Sequence, residues 1–310
     1  MGTETRRTDI ETEFKPGKVA IAMTTSYPRW YPGEIQSIED TDKVRGDLGL
    51  EMIRKAVGRG FNVVLADKDS PQDLRQQFSE LAVRFISRED NDTRASGRKV
   101  AIGEASSIPE VKVIIRTEPE KISLLDFIPE IALPILRGEA DIVVPKRRNQ
   151  EFQTFYPPYM YESEVRANKK YNSILREFEI LKEDEVDLDM YFGPTIISTD
   201  PQVISLYMER YKFKDKKVLK GGLRRYVRPD DFSNSQMFAV VEALNNGLKV
   251  VGVEIPFIYP KSQRNNEMTE IEEFRSKRKN QKWGILDELV LFIRYLRDPN
   301  SSKNVIEKED

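Results

Sequence analysis

The chain has 310 residues, 39% hydrophobic and 33% charged, with 50 Lys and Arg against 52 Asp and Glu for a formal net charge of −2. The length allows one large α/β domain or two smaller ones, and the near balance of charge gives no bulk basic surface for nucleic acid. Cysteine and histidine are both absent, which excludes disulfides, thiolate nucleophiles, Cys/His zinc sites, haem-histidine ligation and a Ser-His-Asp triad. Acid–base work falls to Asp, Glu, Lys or Tyr. A metal would need oxygen ligands, which favours Mg2+, Mn2+ or Ca2+. No run approaches the roughly 18 apolar residues of a membrane span, and no signal-peptide pattern opens the chain. The expectation is a cytoplasmic protein.

Residues 1–17 are polar and end in Pro16-Gly17, the composition of a frayed leader. Val19–Met23 is the first apolar strand, running into Thr24, Thr25 and Ser26, small residues that suit close approach of a ligand. Tyr27, Trp30 or Tyr31 could then stack on a base or cover the core edge. Val44, Leu48, Met52, Ile53, Ala56 and Val57 recur at helical spacing before Gly60, and Phe61–Ala66 is a second strand. Asp67 and Asp69 stand at its end. Ser70 reads as the cap and Pro71 as the first position of the next helix. Val83–Ile86 is a third strand, so the order is β-α-β-α-β, the pattern of a parallel sheet. Arg98 and Lys99 flank Gly97 ahead of a helix through Ile102 and Ala105, a loose anion-binding arrangement.

The strand Val111–Ile115 is the centre of this layout. It stops on Arg116-Thr117-Glu118-Pro119-Glu120-Lys121, because Pro119 has no N–H for a ladder. Two carboxylates and two cations therefore collect at the carboxyl end of a core strand, where open α/β sheets bind ligands. Ser123–Leu136 follows as a helix, and Gly138-Glu139-Ala140-Asp141 leads into Ile142–Val144 and Lys146-Arg147.

This succession resembles the GT-A nucleotide-sugar glycosyltransferases over roughly residues 18–260. The resemblance implies an α/β fold with a mostly parallel sheet and helices on both faces, in one domain over 18–298. Residues 18–148 would be its nucleotide-binding half, 149–298 its acceptor half and 299–310 a polar tail. It also implies transfer of a sugar from a UDP- or GDP-sugar donor to a hydroxyl acceptor. In the family, a short Asp-x-Asp-type motif holds a divalent cation against the donor diphosphate. Here the matching residue is Glu118, with Glu120 beside it, so Mg2+ or Mn2+ is expected on those two. Arg116 and Lys121 offer metal-independent neutralisation as the alternative.

The resemblance places Thr24, Thr25, Tyr27, Asp67, Arg98, Lys99, Glu118, Arg147 and Arg264 at the donor. It places Asp189, Gly193 and Tyr156 at the acceptor. In Phe152–Tyr161, Pro157-Pro158 is expected to stop any regular element and leave aromatics exposed for sugar faces or for the site's rim. Lys212–Arg228 is strongly basic, and Pro229-Asp230-Asp231-Phe232 follows it. The family's general base falls on Asp230 or Asp231, and with no histidine a carboxylate is the natural base. Met268–Arg278 and Asp287–Leu296 are expected helices, the second docked or mediating a homodimer. Two rivals share the sheet: a catalytically inactive nucleotide-sugar-binding protein, and a sugar nucleotidyltransferase. The second usually carries a Gly-rich loop after the first strand, where this chain has TTSYPRW.

Overall fold

The computed structural model describes residues 14–88, 94–213, 237–269, 271–301 and 305–309. Nine strands can be named: β1 Val19–Thr25, β2 Asn62–Asp67, β3 Arg84–Ser87, β4 Val113–Arg116, β5 Ile142–Arg147, β6 Thr195–Ser198, β7 Arg210–Phe213, β8 Val250–Ile255 and β9 Ile306–Glu309. The first half supplies helices α1 Thr41–Gly58, α2 Gln72–Ser79, α3 Arg94–Ser106 and α4 Ile128–Leu136. The second half supplies α5 Asn149–Phe155, α6 Pro158–Glu177, α7 Pro201–Met208, α8 Phe238–Asn245, α9 Lys261–Thr269 and α10 Ile271–Arg297.

The main sheet has the order β3-β2-β1-β4-β6-β5-β8. Every pairing is parallel except those of β6, which runs antiparallel between β4 and β5. The alternation of side chains along β1 shows why helices cover both faces. Val19, Ile21 and Met23 join one buried cluster with Met52, Ile53 and Ala56 of α1 and with Leu74 and Phe78 of α2. Ala20 and Ala22 join the other, against Ala101, Ile102 and Ala105 of α3. Small residues on that second face let α3 lie close to the strands. The expected α/β layout, mostly parallel with both faces covered, is what the chain forms.

Two features of this topology position the site. The order of strands reverses between β1 and β4, and in such sheets a crevice opens outside the strand ends at that switch. The antiparallel β6 then pairs Thr195 with Arg116. The loop entering β6 is thereby carried back over the end of β4.

Several local expectations are corrected. Pro157-Pro158 does not leave an irregular aromatic segment: Pro158 opens the 20-residue helix α6, consistent with proline's preset φ at a first helical position. Phe152, Tyr156, Tyr159 and Met160 are core residues. Ser70 caps no helix; α2 begins after Pro71, and Ser70 Oγ donates to Asp67 Oδ1 at 2.6 Å instead. Gly97 is not in a loop but in the first turns of α3, where a Cβ would lie 1.6 Å from Arg88 Nη1. The two late helices have different bounds, α10 being one helix of 27 residues. β9 pairs antiparallel with β7, and Ile306 is buried.

Candidate active site

The site begins where β4 ends. Lys121 N–H donates to Glu118 O at 3.2 Å, so Glu118-Pro119-Glu120-Lys121 is a tight turn with proline at its second position. Glu118 and Glu120 both border one cavity but differ in burial and contacts. Glu120 is buried and accepts from Tyr27 Oη at 3.2 Å. Burial, with Glu118 nearby, raises its pKa despite the opposing pull of Arg45. Glu118 is the more open of the two to this cavity of about 260 Å³, its side chain 41% exposed.

Charge around Glu118 is almost all positive. Lys121 Nζ stands 3.6 Å from Oε2. Burial alone would raise its pKa, but Lys121, then Arg116 and Arg98, outweigh that and hold the carboxyl below its ordinary value. Oε2 is buried with no hydrogen-bond partner among the described residues. Arg116 itself is buried, donating from Nε to Thr195 Oγ1 at 3.0 Å and from Nη2 to the carbonyl of Gly193. That second bond ties the β6 loop across the strand end. Gly193 has φ +102°, and a Cβ there would come 2.9 Å from Glu118 Oε1. Only glycine takes this backbone and this approach without strain.

The cavity's other walls come from helices, from the end of β5 and from the loop before β6. Arg147, at the end of β5, donates to Asp189 from Nε at 2.8 Å and from Nη2 at 2.7 Å, and to Glu164 from Nη1 at 2.6 Å. Its guanidinium lies 3.7 Å from the Phe152 ring centroid. Arg45 of α1 reaches Glu267 Oε1 at 3.1 Å, and Tyr259 donates to the other oxygen of Glu267 at 2.9 Å. Lys121 Nζ lies 4.8 Å from the centroid of Phe192, which also lines the cavity.

The structure therefore sorts the residues named from sequence. It brings together Arg98, Glu118, Glu120, Arg147, Tyr156 and Gly193 on one cavity, with Thr24 on a small adjoining recess under Arg98 and Glu118. Tyr27 stands behind that wall, bonded to Glu120. Thr25 and Asp67 lie inside the fold: Asp67 is 0% exposed and accepts from Thr25 Oγ1 at 2.6 Å, Ser70 Oγ at 2.6 Å and Arg75 Nε at 2.8 Å. Asp189 is buried behind Arg147, with Asn168 as a further donor. Lys99 faces a separate recess beside Tyr207 and Glu209, and Arg264 on α9 is not on the cavity wall. Asp230 and Asp231 lie outside the described residues, as does most of the basic run Lys212–Arg228. Arg45, Glu164 and Arg278 were not singled out from sequence. Each sits on a helix, and the packing of that helix brings it to the cavity.

For a divalent cation the residues fit in part. Mg2+ is commonly held by one or two carboxylates with substrate phosphates and water completing the shell. Glu118 fits that description: it is ionised, open to the cavity and has an oxygen lacking a hydrogen bond. Glu120 does not, being committed to Tyr27. Among the described residues no group of three acidic side chains could hold a metal.

No family model matches the chain, and no curated protein does either. Solved structures match over most of the chain at low similarity. Glucosyl-3-phosphoglycerate synthase from Mycobacterium tuberculosis, in complex with Mn2+, UDP and phosphoglyceric acid, is 10% identical with a TM-score of 0.48, over 92% of this chain and 82% of that one. S. aureus TarS 1–349 is 14% identical with a TM-score of 0.41, over 91% and 73%. The inositol-1-phosphate CTP transferase of T. maritima is 11% identical with a TM-score of 0.41, over 86% and 97%. What the strand order and directions define is an α/β fold with a mostly parallel seven-stranded sheet. No helix among the described residues is long and apolar enough to cross a membrane.

Proposed function

We propose that this protein is a glycosyltransferase that moves a sugar from a nucleoside-diphosphate donor to a hydroxyl acceptor. The observation that carries the reading is Glu118: an ionised carboxylate at the switch point of the sheet, beneath Gly193, ringed by Lys121, Arg116 and Arg98. A departing nucleoside diphosphate gathers negative charge, and cations fixed in advance stabilise it without reorganising. Arg98 and Lys121 supply that charge on the cavity wall. Arg147, on the same wall and paired with Asp189 and Glu164, holds the wall's shape. A Mg2+ or Mn2+ ion bound at Glu118 would add further positive charge against the diphosphate oxygens.

The acceptor hydroxyl needs a base, and the family resemblance assigns it to Asp230 or Asp231. The nucleotidyltransferase reading is weaker, because Thr24–Tyr27 is not the Gly-rich turn such an enzyme would place after β1. Calorimetry with a panel of UDP- and GDP-sugars, with and without Mn2+, followed by a donor-hydrolysis assay, tests the proposal. Binding of one nucleotide series together with slow sugar release is expected. Absence of binding to every nucleotide would sink it, and binding without turnover under any acceptor would favour an inactive scaffold. Asp231→Asn and Asp230→Asn are expected to leave donor binding intact while one of them loses turnover.

A further inference from the structure

The cavity has two ends. Glu118, Arg98 and Gly193 form one, at the strand tips; Ser163 of α6 with Arg278, Gln281 and Lys282 of α10 form the other. The cations between and behind them are mostly matched. Arg147 has Asp189 and Glu164 at hydrogen-bond distance, and Arg45 has Glu267. The α10 end differs. Arg278 reaches Glu267 only at 3.8 Å and Glu164 only at 4.0 Å, because each of those acids is committed to a nearer arginine. Contacts that long are ion pairs without hydrogen bonds. The hydrogen bond shown for this guanidinium is a 3.3 Å one to Gln281 Oε1, another residue of the wall.

One turn further along, Lys282 has no acidic partner within ion-pair distance among the described residues. Its ammonium lies 5.2 Å from the Trp283 ring centroid. Burial, then Arg166 and Lys279, press its pKa below the ordinary lysine value, so the charged groups acting on it are cationic too. The turn carrying it is fixed from across the cavity, since Tyr191 Oη donates to Lys282 O at 3.1 Å. Tyr191 stands two residues before Gly193, so this end is held in register with the donor end by the same loop.

We infer that the acceptor is an anionic hydroxyl compound, a phosphomonoester, whose phosphate is seated between Arg278 and Lys282. This rests on the transferase reading above, and it adds the acceptor's chemical class. A dianion would give Arg278 charged acceptors at hydrogen-bond distance, closer than its 3.8 Å and 4.0 Å ion pairs, and give Lys282 a counter-charge. It would also orient the rest of the acceptor, hydroxyl first, toward the strand tips.

The test is titration of the full chain with inorganic phosphate and with glycerol 3-phosphate, each in the presence of saturating UDP, which fills the donor end. Both are expected to bind the UDP-saturated protein, and glycerol is not. Lys282→Ala should weaken both by on the order of tenfold, the scale of one charge-assisted contact, with its melting temperature unchanged. Lys55→Ala, at an exposed lysine on α1 that does not line the cavity, should bind both as the unaltered protein does. UDP displacing phosphate one for one would overturn the inference, because the anion would then occupy the diphosphate end. So would an unaltered affinity in Lys282→Ala, or no phosphate binding at all. If UDP itself does not bind, the transferase reading fails separately, and phosphate titration of the two lysine variants still decides this site.

Discussion

Arg147 and Asp189 face each other through two parallel hydrogen bonds, 2.8 Å from Nε and 2.7 Å from Nη2, with both side chains buried. The backbone N–H of Arg147 adds a third bond to the same carboxylate at 3.1 Å. This joins the end of β5 to the segment before β6 and sets where the Gly193 loop lies. Removing one partner leaves the other charged and buried. Asp189→Asn or Arg147→Met should therefore cost about 3–5 kcal/mol of unfolding free energy, measured by urea denaturation. Arg147→Lys should also destabilise, since an ammonium cannot reproduce the planar fork. Loss of under 1 kcal/mol in all three, well below the ~3 kcal/mol expected for a broken buried pair, would show that the pair does not hold the wall.

The same pair sets a pH dependence. Burial by itself would raise the Asp189 pKa, but Arg147 outweighs it and holds the carboxyl below its ordinary value. The unfolded chain thus binds this proton more readily than the folded one, and stability rises with pH across that interval. The contribution is complete above the unfolded aspartate value of about 3.9 and is lost as pH falls through the depressed folded value. Denaturation midpoints measured from neutral pH downward should decline in that acid window. Asp189→Asn should flatten that decline, and an equal slope in the variant would assign the acid sensitivity to other carboxylates.

The layers of the fold were legible in the sequence because they are written in short-range patterns. The apolar runs at β1, β2 and β4 and the helical spacing of Val44 to Val57 each needed only local periodicity. Glu118 was legible for the same reason, since a strand halted by Pro119 must present its next residues at the strand end. What stayed hidden depended on distant partners. Asp67 stands at a strand end like a ligand residue, yet Thr25, Ser70 and Arg75 turn it inward. The partners of Arg147 were hidden too: Asp189 comes from the segment before β6 and Glu164 from α6. The misjudged Pro157-Pro158 has a different cause: proline breaks a helix interior but suits a helix start, and sequence does not say which side of the boundary it occupies.

Gly193 offers a test of the loop that covers Glu118. Its φ of +102° is strained for any L side chain, and the added methyl would meet Glu118 Oε1 at 2.9 Å. Gly193→Ala should cost about 1–3 kcal/mol of stability from backbone strain. It should also displace the carboxylate or the loop, so nucleotide affinity should fall with it. A crystal structure of the variant would show Glu118 rotated or the Arg116 to Gly193 bond lost. Unchanged nucleotide binding in a folded Gly193→Ala protein would mean that this contact lies outside the donor site.

Glu118→Gln separates two ways of holding a diphosphate. If a divalent ion bridges Glu118 and the donor, the neutral amide removes the carboxylate of the turn that is not hydrogen-bonded to Tyr27. Nucleotide affinity in Mn2+ should then fall on the order of tenfold or more, the scale of lost ligand or supporting interactions at metal sites. If Lys121, Arg116 and Arg98 bind the diphosphate alone, the same change removes a repulsive charge from beside it, and affinity without metal should rise. We expect the first result in Mn2+ and the second in EDTA, because Glu118 is held ionised in both conditions by its cationic neighbours. Calorimetry with UDP and GDP under each condition reads the two effects separately. Equal affinities for the unaltered and Glu118→Gln proteins in both conditions would place the diphosphate away from β4.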